Sequence, residues 1–267
     1  MRRLCTLFLL ALLLAGLLPA GAGADALWPA AGGNEQRSGK MKLDVSFLSE
    51  GYFLAAIQKP SSHRLKLRVV KDGETLTYDL NSNGDYEVFP LQLGNGDYEV
   101  SLYENVSGKK YSQEGRISLS VRTRLPGVCF LYPNQYVNYT QFSEAVAKAG
   151  ELCAGKGPKE AYAIICDFIK NNFVYDYIKA VTVQAGQLPD IDNSYAKRMG
   201  VCQDLSAITV CMLRTQGIPS RLIIGYADNQ YHAWTMTKMG GTDEFFDPTA
   251  ALNAITPVKD YSMERYY

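Results

Sequence analysis

The sequence predicts an α+β fold, in which a small β-sandwich comes first and helices followed by antiparallel strands come second. Two observations carry this. From Met41 to about Arg124, apolar residues recur at every second position, the period of strands with one buried face. After Pro126 they recur at helical spacing, and beyond Pro219 short alternating runs return. Helices followed by antiparallel strands are the order of an α+β domain.

In the first part, Leu65, Leu67 and Val69 alternate with Lys66, Arg68 and Val70. Lys71-Asp72-Gly73-Glu74 is a hairpin signal, because Asp and Gly tolerate positive φ. Leu76, Tyr78 and Leu80 then alternate with Thr75, Thr77 and Asp79, and Ile117, Leu119 and Val121 with Ser118, Ser120 and Arg122. Asn81-Ser82-Asn83-Gly84 and Gly94-Asn95-Gly96 punctuate strands at Tyr86 to Phe89 and Tyr98 to Tyr103. Short strands at this spacing point to a β-sandwich over residues 41–125, a spacer or binding module without a catalytic constellation. His63, just after Pro60-Ser61-Ser62, reads as a loop histidine. Residues 25–40 are small and polar and read as a linker.

Residues 126–267 form the second domain. Phe142, Ala145, Val146, Ala149 and Leu152 make a helical stripe that ends near Gly155. Gly157-Pro158 opens another helix, since proline suits the first helical position. Tyr162, Ile165, Phe168 and Ile169 form its apolar face, and Asn171-Asn172 ends it. Phe173-Val174-Tyr175 is a short extended piece, and the polar stretch from Gln184 to Lys197, with Pro189, reads as a loop. A third helix runs from about Cys202 to Gln216, with Leu205, Ile208, Thr209, Met212 and Leu213 on one face. Gly217 stops it, and Ile218 and Pro219 follow. Strands come next at Arg221 to Tyr226, Tyr231 to Met236 and Glu244 to Asp247.

Composition bounds the function. The 267 residues carry 27 Lys+Arg and 27 Asp+Glu, so a nucleic-acid partner, which needs a basic excess to displace counterions, is not expected. Two histidines do not make a histidine-rich metal centre, and no spaced acidic pattern suggests a calcium loop, so neither a metal nor another cofactor is expected. Arg2 and Arg3, the apolar run Leu4 to Leu18 and the small residues Ala22-Gly23-Ala24 have the order of a secretory signal peptide over residues 1–24. A secreted, extracytoplasmic protein follows, with no membrane contact once the leader is cleaved. Of the six cysteines, Cys5 falls in this leader. Cys129, Cys153, Cys166, Cys202 and Cys211 remain, an odd number; four of them as two disulfides with one thiol over, or all five free, both fit. No C-x-x-C pair supports a zinc knuckle or a thioredoxin-like site.

One constellation carries chemistry. Gly200-Val201-Cys202 puts a cysteine at the start of the third helix, with Gly200 allowing a sharp turn into it. Unpaired N–H groups and the helix dipole favour an anion there, and hence the thiolate. Thiolate chemistry needs a base that later returns the proton. His232, in Tyr231-His232-Ala233-Trp234, is the one histidine of this domain, and alternation puts it on the same strand face as Trp234. Asp247 ends the next strand, where a carboxylate can orient an imidazole. Taken singly, each has a plainer reading as a packed cysteine, a packed histidine and a turn-starting aspartate. Asp204, in the first helical turn, complements the dipole or contacts substrate.

The blocks Gly200-Val201-Cys202-Gln203-Asp204-Leu205-Ser206, Leu213-Arg214-Thr215-Gln216-Gly217-Ile218-Pro219-Ser220-Arg221, Gly225-Tyr226, Tyr231-His232-Ala233-Trp234 and Phe246-Asp247-Pro248-Thr249 resemble the bacterial transglutaminase-like superfamily. The resemblance covers about Tyr132 to Ala250, including Tyr175-Asp176. It implies a papain-like core, a helix bundle plus an antiparallel sheet, with Cys202 as nucleophile, His232 as base and Asp247 orienting the histidine. It also implies an aromatic oxyanion donor ahead of the nucleophile helix, matched by Tyr175, beside the Cys202 N–H. Animal transglutaminases tend to use a tryptophan there, and neither Trp28 nor Trp234 stands in a suitable place.

These readings together predict a secreted cysteine hydrolase, a protease or amidase, acting on amide or peptide bonds through a thioester acyl-enzyme. The alternatives are transglutaminase-type transfer of the acyl group to an amine, and a non-catalytic binding module. Hydrolysis leads because no second site for an amine is evident. The expected partners are protein or peptide substrates, cell-wall stem peptides among them.

Overall fold

The computed structural model describes residues 26–184, 186–256 and 258–267. The leader expected over residues 1–24, with Cys5, lies outside the described residues. No described helix is long and apolar enough to cross a membrane.

Eight strands form the first part: β1 (Glu35–Ser38), β2 (Met41–Asp44), β3 (Tyr52–Ile57), β4 (Leu65–Lys71), β5 (Glu74–Leu80), β6 (Glu87–Pro90), β7 (Gly96–Ser107) and β8 (Lys110–Val121). They make two antiparallel four-stranded sheets, in the orders β1-β2-β3-β6 and β5-β4-β7-β8. Period two works as expected: Leu65, Leu67 and Val69 of β4, Tyr98, Val100 and Leu102 of β7 and Ile117, Leu119 and Val121 of β8 are buried. They meet Met41, Leu43, Phe53, Ala55 and Ile57 of the other sheet in one core. Each such aliphatic side chain taken from water contributes roughly 1.5–3 kcal/mol. The β4–β5 hairpin turns at Asp72 and Gly73, both at positive φ (50° and 85°), the backbone a two-residue hairpin loop requires.

β1 lies inside the stretch read from sequence as a linker. Its turn into β2 passes through Gly39, at φ +54°, where an added Cβ would come 1.9 Å from the Glu114 carbonyl oxygen. The Lys40 N–H donates to that same oxygen at 2.7 Å. The small residues at this tip therefore serve a close backbone contact with β8.

The second part contains α1 (Glu144–Cys153), α2 (Pro158–Asn172), β9 (Val174–Tyr175), α3 (Tyr177–Thr182), α4 (Ile191–Lys197), β10 (Met199–Gly200), α5 (Cys202–Arg214), β11 (Ser220–Ala227), β12 (Gln230–Met239), β13 (Thr242–Phe246), α6 (Pro248–Ala251) and β14 (Tyr261–Tyr266). The last four-stranded sheet is antiparallel, ordered β13-β12-β11-β14. α5 is the centre: every residue from Asp204 to Arg214 is buried, which is the condition of a helix enclosed on all sides. It packs against α1, α2 and α4 on one side and β11 and β12 on the other.

Three expectations need correction. The stretch from Gln184 to Lys197 is not all loop, because α4 occupies its end, buries Ile191, Ser194 and Tyr195, and is capped by Asp190, whose carboxylate accepts from the Asn193 N–H at 3.1 Å. Phe142 is not on the buried face of α1; it precedes the Ser143 N-cap and is 86 % exposed. α5 ends at Arg214, two residues early, and the Ile218 N–H returns to the Leu213 carbonyl at 3.1 Å around Gly217 (φ 71°).

Arg214 is the last residue of α5. Its fully buried guanidinium donates from Nε to Ser220 O (2.9 Å), from Nη1 to Tyr132 O (2.6 Å) and from Nη2 to Tyr267 O (2.9 Å). One side chain thus ties together the end of α5, the start of β11, the entry to the helices and the residue after β14. Tyr267 then stacks on Tyr136 (3.5 Å) and meets Tyr78 of β5 edge-on (6.2 Å), so the core runs on into the first part.

Candidate active site

Cys202 is the first residue of α5, and Val201 is its N-cap. Among the described residues the Cys202 N–H has no main-chain or side-chain acceptor, as expected in a first helical turn. Gly200 is required here, though not for the reason the sequence suggested. Its φ is not positive; instead an added Cβ would sit 2.7 Å from the Asp204 Cβ. Asp204 is fully buried and reaches back to the Val201 N–H (Oδ2, 3.0 Å), while Lys179 Nζ of α3 pairs with the same oxygen at 2.7 Å. Of its two sequence readings, the role at the helix terminus fits and substrate contact does not.

His232 lies on β12, opposite Gly225 of β11. It shares its face with Trp234, as alternation predicts, with rings 6.3 Å apart and nearly parallel. At Gly225 an added Cβ would meet Ser262 O at 2.0 Å, because β14 bulges over this point. Asp247 follows β13 and caps α6, its Oδ1 accepting from the N–H groups of Thr249 (2.9 Å) and Ala250 (3.1 Å). Its Oδ2 accepts from His232 Nε2 at 2.8 Å and from the Tyr261 hydroxyl at 2.8 Å. The carboxylate is thus held from both sides, and the pairing of Nε2 leaves Nδ1 for the thiol.

Burial alone would lower the His232 pKa. The hydrogen bonds and charge interactions of Asp247 and then Cys202 outweigh it and raise the pKa from 6.5 to about 9. Burial alone would raise the Asp247 pKa, but the hydrogen bonds and charge of His232, with help from Tyr261 and the α6 N–H groups, hold it below the usual carboxylate value. The pair therefore favours imidazolium beside carboxylate. The other cysteines are free thiols of a different kind. Burial pushes Cys129 and Cys166 up to about 12 and raises Cys153 and Cys211 as well.

Tyr175 sits on β9, which pairs in parallel with β10 so that Tyr175 stands opposite Gly200. Burial first, and then the charge interaction with Cys202, push its pKa up to about 12, so the phenol keeps its proton at neutral pH. A cavity of about 670 Å³ is lined by Tyr175, Tyr177, Cys202, Gln203, Tyr231 and His232, which brings three of the four sequence-singled residues to one space, with Asp247 behind the histidine. Among the described residues, no group of three or more His, Cys, Asp or Glu side chains is arranged to hold a metal ion.

Two contributors were not anticipated. Tyr261 belongs to β14, a strand with no sequence signal of its own, since four of its residues are exposed. Its ring packs on Trp234 (5.1 Å) and Phe245 (4.8 Å), which aims the hydroxyl at Asp247. Lys179 could be foreseen only by knowing that α3 folds against the start of α5.

Residues 147–246 match the family model of the transglutaminase-like superfamily. That stretch contains Cys202 and His232, and Asp247 follows it directly. No curated protein matches the chain. Among solved structures, a candidate cysteine protease from Cytophaga hutchinsonii is similar at 15 % identity and a TM-score of 0.40, covering 87 % of this chain and 90 % of that one. The periplasmic domain of TgpA from Pseudomonas aeruginosa, bound to ethylmercury, is similar at 17 % identity and 0.38, covering 82 % and 76 %. Red sea bream transglutaminase is similar at 13 % identity and 0.33, covering 74 % and 48 %. The match runs from within α1 to the end of β13, so over that stretch the chain is similar to the transglutaminase-like superfamily.

Proposed function

We propose that the chain is a secreted cysteine hydrolase that cleaves amide or peptide bonds through a thioester acyl-enzyme, with Cys202, His232 and Asp247 as its triad. The observation that carries this reading is the 2.8 Å contact of His232 Nε2 with Asp247 Oδ2, which leaves Nδ1 for Cys202 at the head of α5. The Cys202 thiolate attacks the substrate carbonyl carbon. The tetrahedral oxyanion takes the Cys202 N–H and the Tyr175 hydroxyl as donors, each worth on the order of 10²–10³ in rate when geometry is good. The C–N bond breaks as His232 gives its proton to the leaving amine. Water then attacks the thioester as His232 takes its proton, and the tetrahedral adduct collapses with cleavage of the C–S bond, releasing the acid and restoring the Cys202 thiolate beside imidazolium.

Water as acceptor is favoured by the open rim. Tyr177, Val181 and Tyr231 beside the cavity are 64 %, 84 % and 52 % exposed, so the thioester is not shielded. Secretion rests on the leader-like residues 1–24, and protein or peptide substrates, cell-wall stem peptides among them, on the open cavity. The test is incubation with a peptide library in ¹⁸O-water with excess methylamine, against Cys202→Ser. We expect new termini that carry ¹⁸O and an acid-trapped acyl adduct on the Cys202 peptide. Methylamide products would assign acyl transfer to an amine. Products that persist in Cys202→Ser would overturn the assignment.

A further inference from the structure

The cavity around Cys202 has unequal walls. The α3 side presents Tyr177, Ala180 and Val181, whereas the β14 side presents Arg265. Among the described lining residues there is no carboxylate, and apart from His232 the only cationic side chain is Arg265. Arg265 forms no ion pair with any described residue; the described ion pairs engage other cations. Its Nη2 donates to the Tyr231 hydroxyl, and its guanidinium lies over the Tyr231 ring, 6.0 Å from the centroid. Tyr231 and His232 line the same cavity, so this contact holds the guanidinium in the cavity wall. It occupies one N–H and leaves the rest of the planar fork available, the geometry that matches a carboxylate.

We propose that Arg265 recognises a carboxylate on the substrate, carried by an acidic side chain or a free C-terminus, on the β14 side of the scissile carbonyl. This rests on the hydrolase reading of the site and narrows its substrates to acidic peptides or amides. The neutral glutamines Gln203 and Gln230 and the apolar α3 wall add no competing charge. A lysine at position 265 would keep the attraction and lose the two-pronged geometry.

The experiment compares alkylation of Cys202 in the folded chain by four reagents. Bromoacetyl-Glu-Gly-amide is paired with bromoacetyl-Gln-Gly-amide, and bromoacetyl-Gly-Gly with a free C-terminus is paired with its amide. The first pair reads a side-chain carboxylate and the second a terminal one. In at least one pair the acid should label Cys202 about three- to tenfold faster than its neutral partner, the range for a partly solvated charge-assisted contact. That ratio should fall to about one in Arg265→Gln and stay intermediate in Arg265→Lys. Each ratio is taken within one protein, so a general change in thiol reactivity cancels. Equal rates within both pairs, or a ratio that survives in Arg265→Gln, would overturn the assignment while leaving the hydrolase reading intact. If even the neutral reagents fail to prefer Cys202 over the other cysteines, the hydrolase reading fails and this inference falls with it.

Discussion

Replacing Asp247 by asparagine should disarm His232 without unfolding the site. The amide oxygen can still accept from the Thr249 and Ala250 N–H groups, so the cap of α6 survives. Its NH₂ then faces His232 Nε2 and the Tyr261 hydroxyl, where a carboxylate oxygen accepted at 2.8 Å from each. Two donors cannot share that contact, so the imidazole must move its proton to Nδ1, the side that should receive one from Cys202. The electrostatic size follows from the histidine. A rise from 6.5 to about 9 corresponds to ~3 kcal/mol favouring imidazolium, and Asp247 is the largest contributor to the rise. Without the carboxylate, burial works against the charge with only Cys202 opposing it, and the His232 pKa should fall below its wild-type value. The chain has only two histidines, so side-chain NMR titration of wild type and Asp247→Asn resolves this directly. Turnover should fall on the order of 10⁴, as when the carboxylate of a serine-protease triad becomes an amide. Stability carries the same sign. The raised pKa of His232 contributes stability that is full below about pH 6.5 and is lost as pH rises through about 9. The variant should lose this dependence. A wild-type His232 that titrates near 6.5, or a variant whose His232 titrates where the wild type does, would show that Asp247 does not hold the imidazolium.

Other positions give independent checks. Lys179→Met removes the one cation paired with buried Asp204 among the described residues; stranding a buried charge costs ~3–5 kcal/mol, and Lys179 keeps 19 % of its side-chain surface, so about 2–3 kcal/mol should be lost in urea unfolding. A loss under about 1 kcal/mol would contradict the pairing, and adding Asp204→Asn should recover much of it. Gly225→Ala places a methyl 2.0 Å from Ser262 O, so β14 must shift. It should cost ~1–3 kcal/mol and speed amide exchange over residues 261–266, and unchanged exchange there would speak against the close approach.

Much of this was legible because it depends on local pattern. The hairpin at Asp72-Gly73, the strand alternation and the start of α5 at Cys202 all follow from neighbours a few residues apart. The meeting of Cys202, His232 and Asp247 in space was legible only through the order of linked blocks. What escaped depends on distant packing. α4 buries only three residues in a polar seven, too short a stripe for periodicity to detect. β14 is mostly exposed, and its place is set by pairing with β11 and by Tyr267 bonded to Arg214. Tyr261 therefore reached Asp247 unannounced. Gly200 was singled out correctly for the wrong reason, since its neighbour Asp204 is buried against it rather than pointing toward substrate.

The central claim is a thiolate–imidazolium pair between Cys202 and His232. Limiting iodoacetamide, applied to the folded chain at several pH values and read out for each cysteine by mass spectrometry, tests it most directly. Cys202 should be alkylated well below pH 8, far ahead of Cys129, Cys153, Cys166 and Cys211, whose thiols burial pushes up. His232→Ala should remove this lead. Alkylation of Cys202 at the pace of the buried cysteines, or at the same rate with and without His232, would contradict it.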